Sequence, residues 1–238
     1  LGAEEKLLPA AVVNAELAQR LRRTAARRGK PVGGRERRRL KAEVLDELLP
    51  RAFVRPSRLN ACVDVKNGWL VLDTASRKAA EAALTALREA LGSFPALPLA
   101  PAETPRALMT AWLAHGKLGG GLALGDECEL RDPAGGSVAR CRHQELDGSE
   151  VKEHLKRGKQ VFQLGVIFDG RIACVLGEDL VIRKLRFLDV VQEALDADDR
   201  DSAAAEVDAR FALMSGELEK LLAGLSGWFG LHRPGDDD

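Results

Sequence analysis

Residues 161–187 read VFQLGVIFDGRIACVLGEDLVIRKLRF, and apolar side chains recur at alternate positions on both sides of Asp169-Gly170 and again past Gly177. A period of two marks strands that bury one face. Asp-Gly accepts the positive φ of a tight hairpin turn, so the stretch predicts an antiparallel meander of three strands. After it, residues 203–229 carry Val207, Phe211, Met214, Leu218, Leu221, Leu225 and Trp228 at helical spacing, which predicts a long helix burying that stripe. Before it, GKLGGGLALG (116–125) predicts a flexible joint, followed by two short strands around DPAGGS (132–137). A helix then starts at a cap, Asp147 or Ser149, and stops at Gly158.

The first half alternates helices and a hairpin. Residues 10–28 place Val13, Leu17 and Leu21 on one helical face and Arg20, Arg23 and Arg27 along another. GKPVGG (29–34) interrupts the helix, and a second one over 35–49 turns Leu40, Val44, Leu45 and Leu48 to one side before Pro50. In RLNACVDVKNGWLVLDT (58–74) the alternation of Ala61, Val63 and Val65 before Asn67-Gly68 predicts a hairpin with a type I′ turn. Ser76 caps a helix whose Ala80, Ala83, Leu84, Leu87 and Leu91 face a sheet, and Gly92 ends it. FPALPLAP (94–101) is extended, and 104–114 forms a further short helix. Helices interspersed with antiparallel hairpins define an α+β chain. It divides into a basic helical arm (1–58), a hairpin and helix lobe (59–115), and a meander with a long C-terminal helix (116–238).

The 238 residues carry 36 basic and 36 acidic side chains, so bulk charge selects no partner, but the charges are segregated. From Arg20 to Arg58 fourteen Lys or Arg face four acids; from Asp189 to Asp208 eight acids face Arg200 alone, and three aspartates end the chain. Cys62, Cys128, Cys141 and Cys174 lie far apart with no CxxC, which suggests reduced thiols rather than a disulfide or zinc scaffold. No apolar run approaches the ~18 residues of a membrane span.

Catalytic patterns are weak. The glycines of 119–125 lack the lysine of a phosphate-binding loop, and His115, His143, His154 and His232 are too scattered for a metal cage. Neither cofactor nor metal is implied. Cys141 and His143, two apart on a strand, would share a face as a thiolate and imidazole pair, but no third group orients them. The alternative worth keeping is a Mg²⁺-dependent nuclease using Asp147, Glu150 and Lys152; a helix-start role for Glu150 is simpler. A further alternative is a protein-binding regulator that docks a basic partner on the acidic stretch 189–208.

The basic segment is the stronger signal. Few acids stand one helical turn from its arginines, so an uncompensated field that attracts a polyanion is expected. Aromatic residues form 4% of the chain, with no tyrosine, which disfavours stacking on unpaired bases and favours duplex DNA held by its phosphates.

KAEVLDELLPRAFVR (41–55), VKNGWLVLDTASRKAAEAALTALREALGSFPALPL (65–99), EHLKRGKQVFQL (153–164), LVIRKLRFLD (180–189) and DARFALMSGELEKLL (208–222) resemble, in this order, the bacterial RdgC recombination-associated proteins. The resemblance implies a non-enzymatic, cytoplasmic, nucleoid-associated protein that binds double-stranded DNA with little sequence preference. It implies a homodimer closed into a ring around the duplex, limiting RecA-dependent recombination. Relatives of this kind carry further residues before the point where this sequence starts, so it reads as an N-terminally shortened form. The resemblance further implies that Arg51 and Arg55 face DNA and that Phe53 closes a dimer interface. In VARCRHQEL (138–146) it implies DNA contacts from Arg140, Arg142 and Gln144, with His143 where a lysine is expected.

Overall fold

The computed structural model describes residues 2–196 and 202–231 of the chain. They form two compact units, Leu1–Ala96 and Leu97–Asp238. His232 and the terminal aspartates lie outside the described residues, as does the centre of the acidic stretch at 197–201.

The first unit runs β1 (Gly2–Leu7), α1 (Ala10–Arg28), α2 (Gly34–Leu48), a 3₁₀ turn (Leu49–Arg51), β2 (Phe53–Arg58), β3 (Ala61–Asp64), β4 (Trp69–Leu72) and α3 (Arg77–Leu91). Gly29, at φ +66°, ends α1 in the left-handed conformation that glycine adopts without a Cβ penalty. The chain then doubles back, and Val13 and Leu17 of α1 and Leu40 and Val44 of α2 are buried. The two-stranded ribbon β1–β2 joins the outer ends of this helical hairpin, pairing Gly2 with Arg58 and Leu7 with Phe53. Sequence periodicity did not reveal this ribbon. All of β2 is exposed, so no alternation marks it, and Pro56 sits where it removes a donor from a two-stranded edge.

The β3–β4 hairpin forms, with a different turn. Asp64 pairs with Trp69, leaving a four-residue loop in place of the type I′ turn. Only Gly68 takes positive φ, and the Asp64 carboxylate accepts hydrogen bonds from the Asn67 backbone N–H and side-chain amide. Carboxylate capping of a longer loop replaces the need for a left-handed asparagine. Ser76 caps α3 by accepting from the Ala79 N–H, but Leu91, placed on the buried face by periodicity, is exposed in the last turn.

The second unit runs α4 (Pro105–His115), β5 (Leu122–Arg131), β6 (Val138–Arg142), α5 (Ser149–Lys156), β7 (Gln160–Phe168), β8 (Ile172–Gly177), β9 (Ile182–Phe187), α6 (Asp189–Asp196) and α7 (Ala203–Phe229). The meander is β7–β8–β9, and β5 and β6 extend it to an antiparallel five-stranded sheet of order β6-β5-β7-β8-β9. Asp169 and Gly170 both take positive φ, and the Arg171 N–H bonds the Phe168 carbonyl, the geometry of the tight turn read from sequence. One sheet face is sealed by Met109, Trp112 and Leu113 of α4, Val151 of α5, and Leu221, Leu225 and Phe229 of α7. Within the seal Trp112 meets Trp228 edge-on at 6.4 Å and Phe229 at 5.5 Å, while Phe168 meets Trp228 at 5.5 Å.

Three local expectations change. The glycine run at 116–125 is no flexible joint, because β5 starts at Leu122 and the glycines make room for neighbours. A Cβ on Gly119 would collide with Cδ1 of the Trp228 ring, and one on Gly125 would reach the Gly165 carbonyl carbon at 2.9 Å. The residue at the start of α5 is Gly148, without a side-chain cap, in place of Asp147 or Ser149. The buried stripe of α7 covers only its C-terminal half: Leu221 and Leu225 are buried, whereas Val207 and Phe211 are 65% and 58% exposed. Periodicity states which face is apolar; how far the sheet reaches under a 27-residue helix is a tertiary matter.

Glu217 anchors α7. Its buried carboxylate receives the Lys220 ammonium at 3.0 Å and meets Arg171, in the β7–β8 turn, at 2.9 Å as an ion pair not aligned as a hydrogen bond. The close approach of β5 and β7 sets a first prediction. A Cβ on Gly165 would lie 2.9 Å from the Glu127 carbonyl oxygen, so Gly165→Ala is expected to destabilise this unit by about 1–3 kcal/mol, read from the midpoint of urea unfolding at unchanged slope.

Candidate nucleic-acid interface

The cationic residues read from sequence fall into two groups, one in each unit. In the first unit α1 carries Arg20, Arg23 and Arg27, the 3₁₀ turn carries Arg51, and β2 carries Phe53 and Arg55. The field is partly compensated, contrary to the expectation from sequence. Arg20 donates to Glu16 at 3.0 Å and, through both η nitrogens, to Glu47 of α2 at 3.0 and 2.5 Å. This fork holds the Glu47 carboxyl below its ordinary value and raises the Arg20 guanidinium. Arg20 is therefore a strut between two helices. Glu47 stands 27 residues away in sequence, which a search for acids one helical turn off does not register.

Arg55 meets Glu5, its register partner across the ribbon, at 2.5 Å. Arg28 pairs with Glu36, and Arg39 with Glu36 and Glu43. Arg23, Arg27 and Arg51 are exposed and form no ion pair among the described residues, and the same holds for Arg35, Arg37, Arg38 and Lys41 on α2. These exposed cations keep the first unit strongly positive. Phe53, at the end of the ribbon beside the 3₁₀ turn, is 85% exposed, and Leu7, Leu49 and Val54 around it in the chain and register are also exposed.

In the second unit β6 carries Arg140 and Arg142 on the face opposite the buried Cys141. Arg142 is exposed without an ion pair among the described residues. Arg140 is held by Glu129 of β5, its register partner, at 2.7 Å. His143 lies just past the strand at φ +54°, its Nδ1 3.2 Å from Asp126, and the Gln144 N–H bonds the Asp126 carbonyl. The strand has ended by His143, so Cys141 points into the core while His143 faces solvent, and the thiolate and imidazole pair does not form. Burial pushes the Cys174 thiol up to about 12, and burial together with the neighbouring Cys141 does the same to Cys128; neither is poised as a nucleophile.

Asp147, Glu150 and Lys152 are exposed around the start of α5, and no group of three or more His, Cys, Asp or Glu among the described residues is placed to hold a metal ion. No described helix is long and apolar enough to cross a membrane.

Known proteins resemble this chain along most of its length. The family profile described as "Putative exonuclease, RdgC" matches residues 1–232. The chain is 49% identical over 222 residues to a protein of Xanthomonas campestris pv. campestris (strain B100) named "Recombination-associated protein RdgC", covering 93% of this chain and 74% of that one. Proteins of the same name from Xanthomonas axonopodis pv. citri (strain 306) and Xylella fastidiosa (strain 9a5c) are 48% and 49% identical over the same coverage. The chain belongs to the RdgC family. As an RdgC protein it is recombination-associated, and the five segments that carried the resemblance all lie inside the matched region.

One residue of the second-unit cluster in this RdgC chain was missed from sequence. Glu129 is a buried carboxylate on a strand, shared between Arg140 and Arg131, where Arg131 Nε donates to it at 2.6 Å. Burial alone would raise its carboxyl, but the hydrogen bonds from Arg140 and Arg131 outweigh that and hold it below the ordinary glutamate value of 4.5. Sequence shows only an alternating ELR; the shared use of one acid requires β6 alongside. A carboxyl lowered in the folded state contributes stability above its unfolded value, which is lost as pH falls through the folded value. Unfolding midpoints in urea are thus expected to drop as pH is taken below about 4.5, and Glu129→Gln to flatten that drop while lowering the midpoint at neutral pH.

Proposed function

We propose that this RdgC chain is a non-enzymatic binder of double-stranded DNA that acts as a two-chain ring around the duplex and limits RecA-dependent recombination, in the cytoplasm and on the nucleoid. The observation that carries the reading is the joint exposure, in one small unit, of guanidinium groups that form no ion pair among the described residues and a phenylalanine 85% open to solvent. Large exposed apolar side chains in a soluble fold mark a partner surface, and in this reading the partner is a second copy that covers Phe53. Exposed arginines without carboxylates neutralise phosphates and release counterions, which gives affinity without reading bases. Arg23, Arg27 and Arg51 supply this in the first unit and Arg142 in the second, where Arg140, already held by Glu129, and His143 and Gln144 add polar contacts beside it.

Fluorescence anisotropy on unrelated duplexes across a salt series tests the proposal. If roughly six phosphates are neutralised, the log-log slope of affinity against salt is about −5, alike for all sequences. Arg51→Ala is expected to weaken binding without altering the dimer, and Arg20→Ala to cost less affinity than Arg51→Ala because its charge is already satisfied by Glu16 and Glu47. Phe53→Ala should shift the sedimentation profile from dimer toward monomer at unchanged circular dichroism; a dimer as stable as wild type would remove Phe53 from the interface. The nuclease reading has no metal-holding group among the described residues to favour it. Nicking of supercoiled plasmid in Mg²⁺ that Glu150→Gln abolishes would replace the non-enzymatic reading.

A further inference from the structure

The Glu129 cluster carries more than the one contact the family resemblance assigned to Arg140. β5 and β6 pair so that Glu129 faces Arg140, and the next side chain on the same face of β5 is Arg131. Each oxygen of the Glu129 carboxylate is engaged by one arginine: Oε1 by Arg131 through Nε at 2.6 Å and Nη2 at 2.5 Å, and Oε2 by Arg140 through Nε at 2.7 Å. Arg131 is gripped a second time, its guanidinium carbon 4.6 Å from the centre of the Phe162 ring, which Arg106 also approaches at 5.1 Å.

One carboxylate cannot neutralise two guanidinium groups, so the triad keeps a net positive charge. Depth sorts the charges: the Glu129 side chain is 9% exposed, those of Arg131 and Arg140 40% and 59%. An approaching anion meets the cations, with the acid beneath them. Arg140 uses only Nε in the triad, so both its η nitrogens, and Nη1 of Arg131, make no hydrogen bond among the described residues. Planar donors already fixed in orientation lose little rotamer freedom when an oxyanion binds, and a forked guanidinium matches a phosphate better than an ammonium does.

We propose that Arg131 and Arg140, held on the two oxygens of Glu129, form a clamp for backbone phosphate of duplex DNA, with Arg131 as a further contact and Glu129 as its positioning residue. The clamp rests on the duplex-binding reading above. Phe162 serves as the platform that fixes the Arg131 plane.

Anisotropy with a short fluorescent duplex across a salt series tests it, with urea unfolding run on each variant. Arg131→Ala is expected to weaken binding about tenfold and to reduce the magnitude of the salt slope by about 0.9, the share of one phosphate. Arg131→Lys should restore the slope but only part of the affinity, because a point charge lacks the fork. Glu129→Gln adds one positive charge to the protein, so plain electrostatics would tighten binding; a positioning role requires binding to weaken. Tighter binding by Glu129→Gln overturns the positioning role, and where that variant does not fold, the pair at Arg131 decides. Wild-type binding with an Arg131→Ala slope and affinity unchanged overturns the clamp alone. A wild-type chain that leaves the duplex unbound overturns the duplex reading and the clamp with it.

Discussion

Everything distinctive in the second unit follows from sealing one face of a five-stranded sheet. The aromatic contacts among Trp112, Phe168, Trp228 and Phe229, with Leu221 and Leu225 beside them, fix α7 on that face. Side chains alternate across a strand, so once Cys128, Leu130 and Cys141 are committed to the core, Glu127, Glu129, Arg131, Arg140 and Arg142 must stand on the other face. The charged layer is a geometric consequence of the apolar one. Gly125 and Gly165 let β5 and β7 approach around a register shift in β5, and Lys184 reaches Glu127 at 2.6 Å, so an ion pair links β9 to β5 across this face.

The first unit uses charge differently. Its core is thin, essentially the facing leucines and valines of α1 and α2, and arginine to glutamate bridges supplement it where the helices meet. Exposed bridges of this kind contribute little each, but they fix which guanidinium groups are occupied. Arg20 and Arg55 are paired with acids, whereas Arg23, Arg27 and Arg51 form no ion pair among the described residues. A cation already bonded to a carboxylate must break that bond or share it to meet a phosphate. The arginines that sequence groups on one helical face therefore differ in what they can do.

Much of the architecture was legible in the chain. The meander and its Asp169-Gly170 turn, the two arginine-rich helices broken at Gly29, the Ser76 cap and the long C-terminal helix all depend on interactions within a few residues, which period and turn chemistry report directly. The β1–β2 ribbon was hidden because strands exposed on both faces carry no alternation. The joint at 116–125 was misjudged because glycine signals freedom in sequence, whereas here it signals a neighbour: a ring at Gly119 and a strand at Gly125. Of the candidate site, the residue types and their clustering were legible, while their states of pairing were not.

The sequence by itself determined the α+β class, the family, the segregation of charge and the identity of the exposed phenylalanine's neighbours, because each is a property of residue order. Only the tertiary structure decided that Glu47 meets Arg20, that Glu129 serves two arginines at once, and that Phe53 and the first turns of α7 stand in solvent. Those facts join residues distant along the chain, and the sign and reach of a charge depend on what lies within a few ångströms of it.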